Sequence, residues 1–210
     1  MTSDQRPRSM PPAWREGFTV LEPARLAMNS WQLVRQRRGD GRTVFVLPGF
    51  RGSDTSTVPL RSYLRGLNYD ARGWGLGTNT GDVGAFVAAM IRHMEPLVDS
   101  RQVPLPLIGW SLGGVVAREI ARERPDLVEQ VITFGSPLHR STRPPIRVPV
   151  TVMYTKSDGV VPWQACIDRV TPDVRHIEVH TTHLGLGLHH RVYVEVARAL
   201  AARGAAVSRP

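Results

Sequence analysis

Ser111 lies in the pentapeptide Gly109-Trp110-Ser111-Leu112-Gly113, between the apolar run VPLPLIGW (103–110) and the segment LGGVVAREIARERP (112–125). The first segment reads as a buried strand and the second as a helix. A serine flanked by glycines at such a junction sits on a sharp, strained turn above a sheet. The glycines are needed because side chains in so tight a turn would collide. The following helix points its free N–H groups and its dipole at the same place, which favours negative charge there. The pentapeptide by itself is a weak pattern, and the strand–turn–helix context is what strengthens it. A serine hydroxyl is a poor nucleophile until a base takes its proton, and the base needs an acid to orient it. The chain supplies both in the order serine, aspartate, histidine. Asp158 follows the apolar run VPVTVMYT (148–155), and His183 follows VRHIEVH (174–180). Each falls just beyond a strand, so all three are expected at one edge of a sheet.

Each assignment has a rival. Asp-Gly after a strand is a common turn. The chain has seven histidines, and a lone histidine is usually structural or solvated. His180 points out of the last strand and is the main rival for the base. His189 and His190 open the closing helix and read as surface residues, His93 falls inside a helix and His176 inside a strand. Only His183 lies in the loop directly beyond the last strand. A carbonyl oxygen that gains negative charge needs two backbone N–H donors. Leu112, next to the serine, is expected to give one, and Phe50 in the loop Leu47–Gly52 the other; a plain strand-end turn is the alternative for that loop. Trp110, Leu138, Val160, Trp163 and Leu184, with Phe50 and Pro137, stand close to these loops. They either line an acyl pocket or are ordinary loop packing. Asn79, in the glycine-rich loop 75–82, reads as a turn residue ahead of a brace for the Phe50 loop. Cys166 reads as a small buried hydrophobe.

The elements that must position these residues alternate regularly. Residues 21–38 suit a surface helix, broken by RRGDGR (37–42). TVFVLP (43–48) is a buried parallel strand, with Ser56 or Thr57 capping a helix from about Val58 to Gly66. A weak strand near 69–75 precedes a helix over about 83–98. The serine-bearing strand and helix follow, then strands over 127–135, 148–155 and 174–180 and a closing helix over 189–203. Strands alternating with helices predict an α/β fold: a mostly parallel central sheet with helices on both faces. Residues 1–17 are expected to be a mobile tail, 18–203 one domain and 204–210 a flexible end.

Composition narrows the class. The 210 residues are 41% hydrophobic and 21% charged, enough to bury a core without staples. The single cysteine excludes an intramolecular disulfide and a four-cysteine zinc site. No run approaches the ~18 apolar residues of a membrane span. The start MTSDQRPRSMPP lacks the apolar stretch of a secretory signal, so a cytoplasmic address is expected. The net charge is +9, and Lys156 is the only lysine among 27 basic residues. A nucleic-acid binder would cluster that charge on a recognisable module. Here arginines are spread and interleaved with acids, as in Arg118, Glu119, Arg122, Glu123 and Arg124. No nucleic-acid partner is expected, and an anionic lipid surface stays open as one.

Taken together, VLPGF (46–50), GWGLGTNTGD (73–82), IGWSLGG (108–114), TFGSPLH (133–139), DGVVPWQAC (158–166) and HLGLGLH (183–189) resemble the α/β-hydrolase-fold serine hydrolases. The similarity is to bacterial esterase- and lipase-like members. It implies a Ser111–His183–Asp158 triad, an oxyanion hole from Phe50 and Leu112, a small-molecule acyl ester as substrate and no metal or organic cofactor; thioesterase, amidase or acyltransferase chemistry on the same triad, or a non-catalytic binding protein of hydrolase fold, are the alternatives. Two features depart from larger relatives: nothing before Thr43 reads as a strand, and the segment after TFGSP is short. Residues 139–149 hold Pro144, Pro145 and Pro149, and Ile146 and Val148 are their only other apolar residues. Paired prolines disfavour helix, so an extended, exposed connection and an open site with little or no cap are expected. Ester turnover should therefore rise smoothly as a short-chain substrate passes its solubility limit. Rate measured against concentration across that limit checks this, and a sharp jump would show a mobile cover.

Overall fold

A computed structural model describes residues 16–17, 19–20, 22–138 and 144–207. Six strands form one sheet: β1 (Thr43–Leu47), β2 (Asp70–Gly73), β3 (Leu105–Trp110), β4 (Val128–Phe134), β5 (Val150–Tyr154) and β6 (Val174–Glu178). Their order is β2-β1-β3-β4-β5-β6 and every pairing is parallel. Six helices accompany them: α1 (Glu22–Met28), α2 (Ser30–Val34), α3 (Val58–Gly66), α4 (Val83–Arg101), α5 (Leu112–Glu123) and α6 (His190–Val207).

Side-chain alternation along the strands divides the core. Phe45, Leu47, Leu105, Leu107, Val131 and Val152 pack under α4 and α5. Val44, Val46, Ile108, Ile132, Phe134 and Ile177 pack under α3 and α6, with Leu26 and Leu33 of the first two helices against them. Both faces of β1 are buried, which fits the continuously apolar run VFVL that follows Thr43. The chain runs from β1 outward to β2 and then crosses back to β3, so successive strands lie on opposite sides of β1. The loops leaving β1 and β3 diverge there, and that crevice is where an open parallel sheet forms its sites.

The N-terminal region differs from expectation. The single helix over 21–38 is two short ones with Asn29 between them, and Asn29 makes no side-chain cap. Glu16, assigned to the tail from sequence, contacts the folded domain. Residues 144–149 carry no helix, as expected, but the connection is not wholly exposed, because Ile146 and Val148 are buried in the core under α4 and α5. Residues 139–143 lie outside the described residues. Among the described residues, no helix is long and apolar enough to cross a membrane.

The two edge strands are short and charged. On β2, Asp70 pairs with Arg72 at 2.7 Å. On β6, Arg175 pairs with Glu195 at 3.0 Å, and Glu178 pairs with Lys156 at 2.7 Å.

One buried ion pair ties the serine-bearing helix to the β5–β6 connection. Arg118 of α5 meets Asp168, whose other oxygen accepts the N–H groups of Val170 (2.9 Å) and Thr171 (3.0 Å). Burial alone would raise the Asp168 carboxyl; Thr171, Val170 and the Arg118 charge outweigh it and hold it at about 2. A carboxyl lowered in the folded state stabilises fully above its ordinary value near 4 and loses that contribution as pH falls toward the folded value. Asp168→Asn should cost about 3–5 kcal/mol near neutral pH, since it strands a buried guanidinium. Denaturant titration from neutral pH down to about 2 should show the gap from wild type closing below about 4.

Candidate active site

Ser111 links β3 to α5 with φ +51° and ψ −121°, a region few non-glycine residues adopt. The turn closes because its neighbours lack side chains. A Cβ at Gly109 would strike the backbone of Gly114, and one at Gly113 the carbonyls of Leu47 and Pro48. The β1 loop therefore approaches so closely that a Cβ on Gly49 would lie 3.2 Å from that of Ser111. The Ser111 N–H donates to the Phe134 carbonyl at 2.9 Å, fixing the turn to β4.

The loops after β5 and β6 bring Asp158 and His183 to this turn. His183 Nε2 is 3.1 Å from Ser111 Oγ, and Nδ1 is 2.7 Å from Asp158 Oδ2. Both side chains are almost fully buried. Asp158 Oδ1 is committed elsewhere, accepting the N–H groups of Val160 (2.9 Å) and Val161 (2.6 Å). As a carboxylate it accepts the Nδ1–H, which leaves Nε2 free to accept from the serine hydroxyl. The two loops are also joined directly, because Thr155 Oγ1 donates to the Thr181 carbonyl at 2.5 Å.

Asn79 does more than make a turn. Its Oδ1 accepts from the Gly81 N–H at 3.2 Å, as a turn residue would, but its Nδ2 donates to the Pro48 carbonyl at 2.9 Å. Its own backbone bonds Arg51 and Gly52 at 2.8 Å each. The residue is wholly buried and braces the β1 loop that carries Phe50. The Leu112 N–H, first in α5, has no acceptor within the helix.

The expected lining residues fall in different places. Trp110 stacks on Phe134 and lies 6.4 Å, centroid to centroid, from His183, with Gly187 against its ring. Val160 and Leu184 stand on the aspartate and histidine loops and are 53% and 45% exposed. Leu138 donates its N–H to the Ala165 carbonyl. Trp163 is engaged instead by Tyr154, stacked at 5.8 Å, and by the Lys156 ammonium. His180 is solvent-exposed, with Glu178 as its neighbour. His189 is not a surface residue: it is buried and stacks at 4.6 Å on His190, which is partly exposed. Among the described residues, no group of three or more His, Cys, Asp or Glu side chains is placed to hold a metal ion.

One contact was invisible to sequence reasoning. Glu16 accepts backbone N–H groups from Gly159 (3.1 Å), His183 (3.0 Å) and Leu184 (2.8 Å). It stands in a proline- and arginine-rich segment without periodicity, so neither pattern nor spacing marked it.

Comparison with known proteins bears on the fold. No family model matches the chain. It is 29% identical over 103 residues to RutD of Variovorax paradoxus (strain S110), a carbamate hydrolase by name. The match covers 46% of this chain and 39% of RutD, so the chain spans less than half the length of that relative. Solved structures are similar over far more. One reported with the metagenome-derived lipolytic enzymes LipS and LipT is 16% identical, with a TM-score of 0.61 over 80% of this chain and 95% of that one. An alpha/beta hydrolase, MGS-MChE2, from the metagenome of Mar Chica lagoon sediments is 17% identical, with a TM-score of 0.61 over 79% and 93%. Est1E from Butyrivibrio proteoclasticus is 12% identical, with a TM-score of 0.61 over 81% and 90%. These likenesses carry the fold that the sheet order already described.

Cys166 is buried, and burial pushes its thiol up to about 12. A thiol must ionise to react. A thiol-specific reagent at mildly alkaline pH should therefore leave Cys166 unmodified in the folded chain and label it once denaturant is added, as read by mass spectrometry.

Proposed function

We propose that this α/β-hydrolase-fold chain hydrolyses carboxylic esters through an acyl-enzyme on Ser111. The observation that carries the reading is the unbroken hydrogen-bonded line from Ser111 Oγ through His183 to Asp158, at 3.1 and 2.7 Å, set on a strained turn at the sheet's carboxyl edge. In this reading His183 Nε2 takes the serine proton as Oγ attacks the acyl carbonyl. The same nitrogen then gives the proton to the departing alcohol. Asp158 fixes the imidazole tautomer and stabilises the imidazolium. The developing oxyanion is held by the Leu112 N–H and by the Phe50 N–H on the loop that Asn79 braces. Water activated by His183 then releases the acid.

The exposed apolar side chains Val160 and Leu184, on the aspartate and histidine loops, together with the partly exposed Trp110, favour short to medium acyl groups held at an open mouth. Similarity to RutD supports a second reading, cleavage of a carbamate by the same three residues. A panel of p-nitrophenyl esters of rising chain length, run beside a thioester, an amide and a carbamate, separates these substrates.

Ser111→Ala should lower ester turnover by about three or more orders of magnitude, and His183→Ala should match it because the pair acts as a unit. His180→Ala should keep most activity. A serine-reactive phosphonate should add once, at Ser111, and turnover should fall on acidification as His183 gains a proton. An inactive His180→Ala beside an active His183→Ala, or an adduct elsewhere, would overturn the assignment.

A further inference from the structure

We infer that Glu16 is a positioning residue for the His183–Asp158 pair, a role that rests on the reading of Ser111, His183 and Asp158 given above. Its carboxylate bridges two loops that are distant in sequence. Oε1 accepts from Gly159, the residue after the acid, and from His183 itself, while Oε2 accepts from Leu184. Asp158 and His183 are thus joined twice. Their side chains meet at 2.7 Å, and Glu16 ties their backbones together. Three bonds to a charged acceptor are stronger than the same bonds to a neutral one.

The contact is one of several that described residues of the N-terminal segment make to this loop, and together these act as a strap. Thr19 Oγ1 lies 2.9 Å from Thr182 Oγ1, and Thr181 Oγ1 donates to buried Glu22 at 2.9 Å. Each of Glu16, Thr19 and Glu22 therefore meets the stretch 181–184. The strap acts where no regular element does, because that stretch lies between the end of β6 and the short 3-10 turn Gly185–Gly187. A base displaced by about 1 Å costs on the order of 100-fold in rate, so a loop without its own secondary structure needs such an anchor. Glu16 also sets a fixed negative charge on the backbone of the residue whose ring becomes cationic during turnover, which favours that cation. The other titratable groups on and around these loops include Asp158, Glu22, Lys156, Cys166, His180, His189, His190 and Tyr193.

The full-length chain tests this through Glu16→Ala and Glu16→Gln, with p-nitrophenyl acetate as probe. Glu16→Ala should lower kcat by about 10- to 100-fold with KM changed less than about twofold, while the unfolding transition stays cooperative. Glu16→Gln keeps the shape, loses the charge and retains one of the two acceptor oxygens, so its acidic limb should move to lower pH. The His183 ring titration, followed by NMR, should move the same way. This second measurement needs no turnover, so it decides the point even if wild type proves inactive toward every ester, an outcome that would remove the proposed function alone. Unchanged kcat in Glu16→Ala together with an unmoved limb overturns the inference. A slow Glu16→Ala beside a Glu16→Gln with wild-type rate, limb and ring titration reduces Glu16 to a structural contact and overturns it too. If Glu16→Ala does not fold, Glu16→Gln decides alone, and an unmoved His183 titration counts against the role.

Discussion

The structure depends on how closely one turn can be packed. Between β3 and α5 the backbone reverses within a single residue, Ser111, held at φ +51°. Such a conformation costs about 1–3 kcal/mol and persists only where its surroundings over-determine it. Here they do. β3 is buried on both faces, the Ser111 N–H is spent on Phe134, and Gly109 and Gly113 leave space that only backbone can fill. The carbonyls of Leu47 and Pro48 occupy that space. The strained turn and the β1 loop are therefore one packed unit, and Asn79 closes it from the far side through the Pro48 carbonyl.

The rest of the candidate site is arranged around that fixed point by weaker means. Asp158 and His183 come from loops rather than from strands or helices. Their precision comes from a ring of hydrogen bonds: Thr155 to Thr181, Asp158 to His183, and Glu16 to both loops. A deeper brace lies behind them, where Arg118 anchors α5 to Asp168. The proposed nucleophile is thus held by steric exclusion and the proposed base and acid by polar contacts. The steric packing of the turn is insensitive to pH, whereas the Asp168 brace on the serine-bearing helix weakens at low pH.

What the sequence revealed followed the same division. Strand and helix identity was legible because TVFVL and LPLIGW are buried on both faces and carry no ambiguity of period. The serine turn was legible because Gly109 and Gly113 have no other reason to flank it. Asn79 was only half legible: an asparagine in a glycine-rich loop signals a turn, and its second bond goes to a residue 31 positions away. His189 was misplaced because a polar residue at a helix start looks solvated until its packing partners are known. The break at Asn29 escaped notice since the apolar spacing of residues 21–38 continues through it. Glu16 left no trace at all, because its partners are backbone N–H groups, which carry no side-chain signature.

The charged edges of the sheet have a consequence for association between copies of the chain. A parallel sheet that ends in an unpaired strand offers a row of backbone donors and acceptors to any extended segment nearby. Here β2 contributes only Asp70–Gly73, with the Asp70–Arg72 pair along it, and β6 carries Arg175 and Glu178, each already paired. A strand docking on either side would have to desolvate or break those pairs before forming a ladder. The charges that contribute least to the core are those that keep the sheet finite at six strands.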